Sequence, residues 1–327
     1  MNDKLNDNLI SATKKKLPAG TNIAHFLMDI LCIGKEAVYR RLRGDVPFTF
    51  AEAALISNKL GVSLDDLIGK DKRSFAVFEI PPVMPSDVLD CYYANLGNYI
   101  NLFDTIRANG GQSLELTTSA NVIPLSISLK YETISKFRIF KWMYQLGKLG
   151  RSGETAFNNT VIPEKILSRQ HELITNSLVV DSVCYILDSN VFEYFYNDIK
   201  YFIDVNLLSA EDILALRVEL MEMLDELEDV SVTGKLKIGI DCQIYTSNVN
   251  FDSTYCYLVS GDLLMSFIRI FSFCPMMSKD PLVFQSIKDW NQSLKKFSTL
   301  ISQSAELHRI QFFKKQRALI NSLVPQT

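Results

Sequence analysis

The sequence predicts two domains: an all-α domain of five short helices at residues 1–73 and a larger, helix-rich mixed α/β domain at residues 74–327. Three observations support this division. A chain of 327 residues has the length of about two domains. Its first part contains only short helical patterns joined by tight turns, whereas helix and strand patterns mix further on. Between them lie the charged stretch GKDKRS at 69–74 and the prolines of PPVMP at 81–85, which helices rarely cross.

The composition is that of a folded globular chain. Hydrophobic residues make up 47% and charged residues 22%, and the formal net charge is −3. This charge excludes a polycation that coats nucleic acid through bulk charge alone. Residues 1–73 nevertheless contain 12 Lys and Arg against 9 Asp and Glu. A local basic patch in the first domain is therefore compatible with an acidic whole chain.

The first domain begins with two helices separated by a turn. Leu5–Lys16 carries apolar residues at helical spacing and is ended by the Leu-Pro-Ala-Gly turn at 17–20. Thr21 or Asn22 then caps a second helix. Its apolar residues are Ile23, Phe26, Leu27, Ile30 and Leu31. Their spacing predicts that one face of the second helix packs on a core.

The third helix is the basic one. It is predicted over Lys35–Arg43, after a break at Ile33-Gly34. Gly44 closes it, because glycine is favoured directly after a helix. Its basic residues are Lys35, Arg40, Arg41 and Arg43.

Two more helices complete the first domain. Thr49 with Glu52 three residues later is a capping-box pattern for a fourth helix, which Gly61 ends. Ser63 is placed to cap a short fifth helix that runs through Leu67.

This order of helices resembles the lambda-repressor-like, or Xre-type, helix-turn-helix family. Three features carry the resemblance: the turn at Cys32-Ile33-Gly34, the Arg43-Gly44 end of the third helix, and the sequence LGVSLDDL at 60–67. Cys32 stands where the family often has glycine, and Leu42 where it usually has an acidic residue. The resemblance covers about one-fifth of the chain. It implies a lambda-repressor-like DNA-binding domain whose third helix enters the major groove.

Four residues at the start of the third helix are candidates for base contacts. Lys35 and Glu36 lie in its first turn, and Tyr39 and Arg40 follow four residues after each of them, on the same face. Lys and Arg suit guanine O6 and N7, and Glu accepts a hydrogen bond from cytosine N4. Two other readings stay open: the basic residues form a solvated helix face, or Tyr39 packs on the next helix.

A second set of residues is expected to contact phosphates. Its members are Lys14, Lys15, Lys16, Asn22, Arg41 and Arg43. Phosphate contacts fix the position of a protein on the duplex without reading its sequence, and the backbone N–H groups near Asn22 can add to them. The lysine run is also explained as a solubilising helix end.

The second domain mixes helices and strands. Helical periodicity is present in five segments: Val88–Arg107, Ser135–Leu149, Ile162–Ile174, Val191–Asp204 and Ser209–Glu228. Strands are predicted in four others: Gln112–Thr118, Leu178–Leu187, Lys235–Tyr245 and Thr254–Val259. Asp262–Phe271 fits either structure, and Pro281–Leu323 predicts two more helices.

The sequence contains no motif of a known catalytic site. It lacks GxSxG, GxxxxGK[ST], GxGxxG and HExxH, so we expect no enzyme, no catalytic residue and no cofactor. The six cysteines contain no CxxC pair, which argues against a metal site or a disulfide framework. No signal-peptide pattern and no apolar run of about 20 residues is present. A cytoplasmic protein without membrane contact is expected.

These observations predict a sequence-specific transcriptional regulator that binds double-stranded DNA, with a second domain that senses a ligand or holds an oligomer together. A homodimer is expected, since one helix-turn-helix unit reads only a half-site. The predicted helix Ser209–Glu228 has more apolar residues than one surface helix needs, and packs either inside its own domain or against a second copy. A small-molecule effector is one role open to the second domain. Two alternatives remain: a protein–protein adaptor with a degenerate helix-turn-helix, and an enzyme domain fused to a DNA-binding module.

Overall fold

The computed structural model describes residues 2–18, 20–62, 64–67, 76–80, 87–108, 113–149, 156–237, 239–270, 273 and 275–324. The stretch at 69–74, the prolines at 81–85 and Ser63 lie outside this range, so the structure does not describe the predicted boundary segments or the cap of the fifth helix. The chain divides into two units, Met1–Ala76 and Val77–Thr327.

Helices build the first unit. They are α1 (Asn2–Lys16), α2 (Ile23–Leu31), α3 (Lys35–Leu42), α4 (Phe50–Leu60) and α5 (Leu64–Leu67), the last a single turn. Each helix places at least one buried apolar side chain in a shared core: Leu9, Ala24, Leu27, Val38, Ile56 and Leu67. An N-terminal helical region ahead of a mixed α/β domain is thereby confirmed.

Caps set the ends of α2 and α4 as the sequence indicates. Asn22 Oδ1 accepts hydrogen bonds from the first amides of α2. Thr49 Oγ1 accepts from the Glu52 amide at 3.2 Å, and Glu52 Oε2 accepts from the Thr49 amide at 2.8 Å. The reciprocal bonds satisfy two amides that the helix itself leaves unpaired. Gly61 ends α4 in the left-handed region, at φ 61°, where glycine carries no steric cost.

A seven-stranded mixed sheet forms the centre of the second unit. Its strands are β1 (Leu114–Ala120), β2 (Ser182–Asp188), β3 (Asp241–Ser247), β4 (Tyr255–Ser260), β5 (Leu263–Arg269), β6 (Pro275–Ser278) and β7 (Ser298–Leu300). Their order across the sheet is β6-β5-β4-β1-β2-β3-β7. The three central strands β1, β2 and β3 run parallel to one another, and β4 and β7 flank them in antiparallel pairing.

Eight helices surround this sheet in the described part of the second unit. They are α6 (Val88–Ala108), α7 (Leu125–Ser128), α8 (Glu132–Gln145), α9 (Glu164–Asn176), α10 (Glu193–Asp204), α11 (Ala210–Thr233), α12 (Pro281–Lys296) and α13 (Glu306–Asn321). Short 3-10 turns lie at 157–159 and 177–179. The connections between parallel strands contain helices, as parallel pairing requires.

Alternate side chains of the central strands enter different cores. Val183 and Tyr185 of β2 belong to the main core, which the larger group of helices covers. Cys184 and Ile186 point to the opposite face, where Leu294 of α12 covers them. Burial on both faces makes β2 a nearly continuous apolar run. The sheet is therefore a middle layer between α12 and the other helices.

Several strands differ from the sequence prediction. The expected strand Lys235–Tyr245 begins only at Asp241, because Gly234 ends α11 in the left-handed region and Gly239 forms a turn. The strand expected from Leu178 begins at Ser182, after a 3-10 turn that continues from α9. The ambiguous segment Asp262–Phe271 contains a strand, β5. Strands β6 and β7 were not predicted at all.

Among the described residues, no helix is long and apolar enough to cross a membrane.

Candidate nucleic-acid interface

The turn between α2 and α3 fixes how α3 is presented. Cys32 follows α2 with φ 52° and ψ 41°, in the left-handed region, and extended Gly34 precedes α3. This reversal lets the inward faces of the two helices meet. Leu27 and Val38 are both buried in the shared core, and Val38 has no exposed surface. Val38 is the one fully buried residue of α3, and Leu42 packs partly against the same core, so the opposite side of this short helix remains at the surface.

The four candidate base-contact residues lie on the outward surface of α3. Lys35, Glu36 and Arg40 are exposed, and Tyr39 is 38% exposed. Lys35 Nζ lies 6.0 Å from the centroid of the Tyr39 ring, at the outer limit of a cation–π contact. Among the described residues, none forms an ion pair with Lys35 or Arg40. Two cationic groups of α3 are thus free to meet an anionic partner.

Arg43 is exposed but has acidic neighbours. Its Nε donates to Asp45 Oδ2 at 3.0 Å, and its guanidinium lies 3.6 Å from Glu36 Oε1. The hydrogen bond and charge of Asp45 raise the pKa of Arg43. Both pairs are solvent-exposed, where ion pairs are weak. Arg43 can therefore exchange these partners for a phosphate.

Arg41 has a different place from the one expected. Its Nε and Nη2 donate to the two carboxylate oxygens of Glu52 at 3.0 and 2.7 Å, and its Nη1 donates to the carbonyl of Ala37. The Arg41 and Glu52 side chains are only 16% and 15% exposed. The forked pair joins α3 to the capping box of α4, so Arg41 braces the unit and does not face outward toward phosphates.

The remaining phosphate candidates surround the start of α2 and the end of α1. Lys14, Lys15 and Lys16 are exposed in the last turn of α1. Asn22 is exposed, but its Oδ1 accepts from the amides of residues 24 and 25 at 2.9 and 3.3 Å. Those two amides, which the sequence suggested as phosphate donors, already have a partner in this structure.

Sequence reasoning did not single out two exposed apolar residues of the first unit. Phe50 is 81% exposed at the first position of α4, and Leu55 is 52% exposed in the same helix. Leu55 lies next to the buried Ile56 in a continuous run of small and apolar residues. The run itself gives no sign of which side chain stays outside the core.

The second unit has an acidic cleft of about 670 Å³ lined largely by α11 and the start of α8. Three of its acids, Glu219, Asp225 and Glu226, have structural partners. Glu219 accepts from the amides of Thr133 and Ile134 at 3.0 and 2.8 Å, which caps α8. Glu226 is ion-paired with Lys130. Burial raises the pKa of Glu226, but Lys130, Tyr131 and Lys237 together outweigh burial and lower it. Within the described residues, no three His, Cys, Asp or Glu side chains are grouped to hold a metal ion.

Comparisons with known proteins leave the geometry as the sole guide to function: no family model, no curated protein and no solved structure matches this chain.

Proposed function

We propose that the chain is a sequence-specific DNA-binding transcriptional regulator, with a lambda-repressor-like helix-turn-helix domain in its first unit. One observation carries the proposal. Helix α3 follows a sharp turn, buries Val38 without exposed surface, and presents Lys35 and Arg40 outward without an acidic partner among the described residues. A short helix that packs one face on the core and exposes a basic face has the shape that enters the major groove.

The chemistry of the outward surface fits base recognition. The groove is about 12 Å wide and accepts one α-helix. Lys35 and Glu36 lie at the amino end of α3, from which such helices reach base edges. Arg40 is the strongest candidate for a guanine, because its five donors match O6 and N7 in a bidentate arrangement. Tyr39 adds a ring to the same surface.

Phosphate contacts are proposed for the residues beside α3. Lys14, Lys15 and Lys16 supply exposed ammonium groups at the end of α1, and Asn22 lies at the start of α2. Arg43 joins them by exchanging Asp45 for a phosphate. Arg41 is left out of this set, because both of its forked donors bind Glu52.

The second unit is proposed to sense a ligand or to hold a homodimer together. Regulators with one helix-turn-helix per chain read two half-sites as two-fold dimers. Most apolar residues of α11 are buried in the core of their own unit, including Leu216, Leu220 and Leu224. Leu214 and Val218 remain exposed one turn apart. The helix therefore offers a second copy only a narrow apolar strip.

Selection of bound duplexes from a random DNA library tests this proposal. The full chain is expected to enrich one sequence with two related halves, about 10 base pairs apart from centre to centre or a multiple of that. The Lys35→Ala, Arg40→Ala double variant should enrich no common sequence. Arg107→Ala, which removes an exposed cation of α6 in the second unit, is the matched control and should enrich the wild-type sequence. Enrichment of nothing by the wild-type chain would contradict the proposal.

A protein–protein adaptor is the second candidate, and the exposed Phe50 and Leu55 favour it. A salt titration separates the two functions. Binding through phosphates weakens steeply with salt, with a slope of about −0.9 in log–log form for each phosphate neutralised. Docking through apolar side chains lacks this dependence. Replacing Phe50 by Ser should abolish adaptor binding while leaving affinity for DNA nearly unchanged.

A further inference from the structure

Two arginines of the second unit are held on one short segment that follows β1. Arg138 of α8 donates through Nη2 to the carbonyl of Ile123 at 2.7 Å, and through Nη1 to Ser128 Oγ. Arg269, the last residue of β5, donates to Asn121 Oδ1 at 3.3 Å. All three anchoring residues lie between positions 121 and 128. The two guanidinium groups are near enough for the charge of Arg269 to act on Arg138, although 130 residues of chain separate them.

Neither arginine has a carboxylate partner among the described residues. Their anchors are a carbonyl, a hydroxyl and an amide oxygen, all uncharged. The acid whose charge acts on Arg138 is Asp198, which is ion-paired with Lys141. Arg269 Nε is buried and has no hydrogen-bond partner. Buried charges are normally paired, since an unpaired one costs several kcal/mol.

The surroundings of the Arg138 and Arg269 guanidinium groups disfavour the charged form of both. Burial and, to a smaller extent, the positive charge of Arg269 lower the pKa of Arg138 to about 10, although Tyr92 and Asp198 act in the opposite direction. Burial also lowers the pKa of Arg269, which the phenol of Tyr194 partly offsets. Tyr194 is 59% exposed at the start of α10. Arg138 and Arg269 are themselves partly exposed, so solvent reaches the pair.

The pair lies at the edge of the sheet where the parallel strands β1 and β2 end. Asn121 comes directly after β1, whose neighbours are parallel β2 on one side and antiparallel β4 on the other. Arg269 reaches the same edge, because β5 ends beside the start of β4. In open α/β sheets, ligands bind outside the carboxyl ends of the strands, where the direction of the connections changes.

We propose that Arg138 and Arg269 form a binding site for the oxyanion of a small molecule, a carboxylate or a phosphate group. Such a group supplies the negative charge that this pair lacks. Arg269 offers it a donor without a partner, and Arg138, whose Nη1 and Nη2 already donate to Ser128 and Ile123, contributes its positive charge. The unpartnered Nε of Arg269 is the donor that the anion is expected to satisfy. This binding does not depend on DNA binding by the first unit.

A purely structural role is the competing explanation. In that case each arginine only fixes the segment between β1 and α8, and added anions change nothing. Titration calorimetry of the full chain separates these explanations. Inorganic phosphate and succinate are titrated separately at constant ionic strength, with chloride as the supporting anion. Saturable binding of either supports the site, and the preferred one identifies the chemical class.

Substitutions of Arg269 test whether the anion binds at the Arg138 and Arg269 pair. Arg269→Gln should weaken affinity by about 10-fold or more, because charge-assisted bonds to the anion are lost. Arg269→Lys keeps the charge at the end of β5 without the fork, and should bind with intermediate affinity. Arg107→Gln removes the same charge from the exposed surface of α6 and is the control. Circular dichroism verifies that each variant is folded. Absence of saturable binding to the wild type, or equal affinity in Arg269→Gln and Arg269→Lys, overturns the proposal.

Discussion

Arg40 and Arg41 are neighbours in the sequence, yet their side chains have opposite environments. Successive residues of a helix point about 100° apart, and the core contact of Val38 sets which of the two faces outward. Arg40 is exposed, whereas Arg41 forms a fork with Glu52. Both look like surface arginines in the sequence. Only the position of α4 relative to α3 shows that Arg41 has a structural partner.

Replacing Glu52 by Gln should destabilise the first unit by about 2 kcal/mol. The Gln amide nitrogen would face donors from Arg41 and Thr49 that now bind a carboxylate. Burial raises the pKa of Glu52, but its bonds to Arg41 and Thr49 outweigh burial and hold it below the ordinary 4.5. The stabilisation is therefore complete above pH 4.5 and is lost as the pH falls through the lowered pKa. Hydrogen exchange of α3 and α4 amides measures the opening free energy.

The control for this experiment is Glu36→Gln, which removes the exposed partner of Arg43 at 3.6 Å. Glu36→Gln should change the opening free energy by no more than about 0.5 kcal/mol, since exposed ion pairs contribute little to stability. Equal losses in the two variants would show that the pair of Arg41 and Glu52 does not brace the unit.

Cys32 is expected to tolerate Gly but not Val. It has φ 52° in the turn between α2 and α3, a region that is costly for side chains and worst for β-branched ones. Because Cys32 is exposed, little packing is lost by substitution. Cys32→Val should cost about 1 kcal/mol, and Cys32→Gly should be as stable as the wild type or more so. Hydrogen exchange of α2 amides compares them; a Val variant as stable as the Gly variant would exclude the left-handed turn.

At the scale of whole elements, those with local end signals could be predicted and those without could not. Thr49 with Glu52 and Ser209 with Asp212 both form the reciprocal caps that their sequences indicate. By contrast, β6 has four residues and β7 three. Such runs are too short for an alternating pattern, and pairing with β5 and with β3, respectively, makes them extended.

Helix α11 should stabilise the second unit mainly through its buried side. Leu220→Ala is expected to cost about 2–5 kcal/mol, because Leu220 is fully packed in the main core. The matched variant Val218→Ala, in the same helix but 48% exposed, should change stability by less than about 0.5 kcal/mol. Guanidinium unfolding followed by tryptophan fluorescence reports on this unit, since Trp142 and Trp290 both lie in it. A larger, concentration-dependent loss for Val218→Ala would instead place α11 in a dimer interface.

At the scale of the whole molecule, the sequence located the candidate interface of the first unit but not the anion site of the second. The exposed positions of Lys35, Glu36, Tyr39 and Arg40 lie in one short helix, so local periodicity is enough to group them. Arg138 and Arg269 come together only because β5 pairs with β4 and β4 pairs with β1. No spacing rule connects residues that far apart in the chain.

Phosphate contacts predict a defined change in salt dependence. Removing one of them, by Lys15→Ala in the last turn of α1, should reduce the slope of log affinity against log salt by about 1 and weaken all duplexes to a similar extent. Arg107→Ala should leave the slope unchanged. Fluorescence anisotropy with a labelled duplex provides the affinities, and an unchanged slope in Lys15→Ala would remove that residue from the interface.

The most direct test of the regulator is the sequence discrimination of Arg40→Ala. Affinity is measured for the selected duplex and for duplexes with a single base pair changed, in the wild type and in the variant. For the wild type, changing the base pair that Arg40 contacts should weaken the binding free energy by about 1–3 kcal/mol. Arg40→Ala should bind the selected duplex and the changed duplex almost equally. Unaltered affinity and unaltered discrimination in Arg40→Ala would contradict entry of α3 into the major groove.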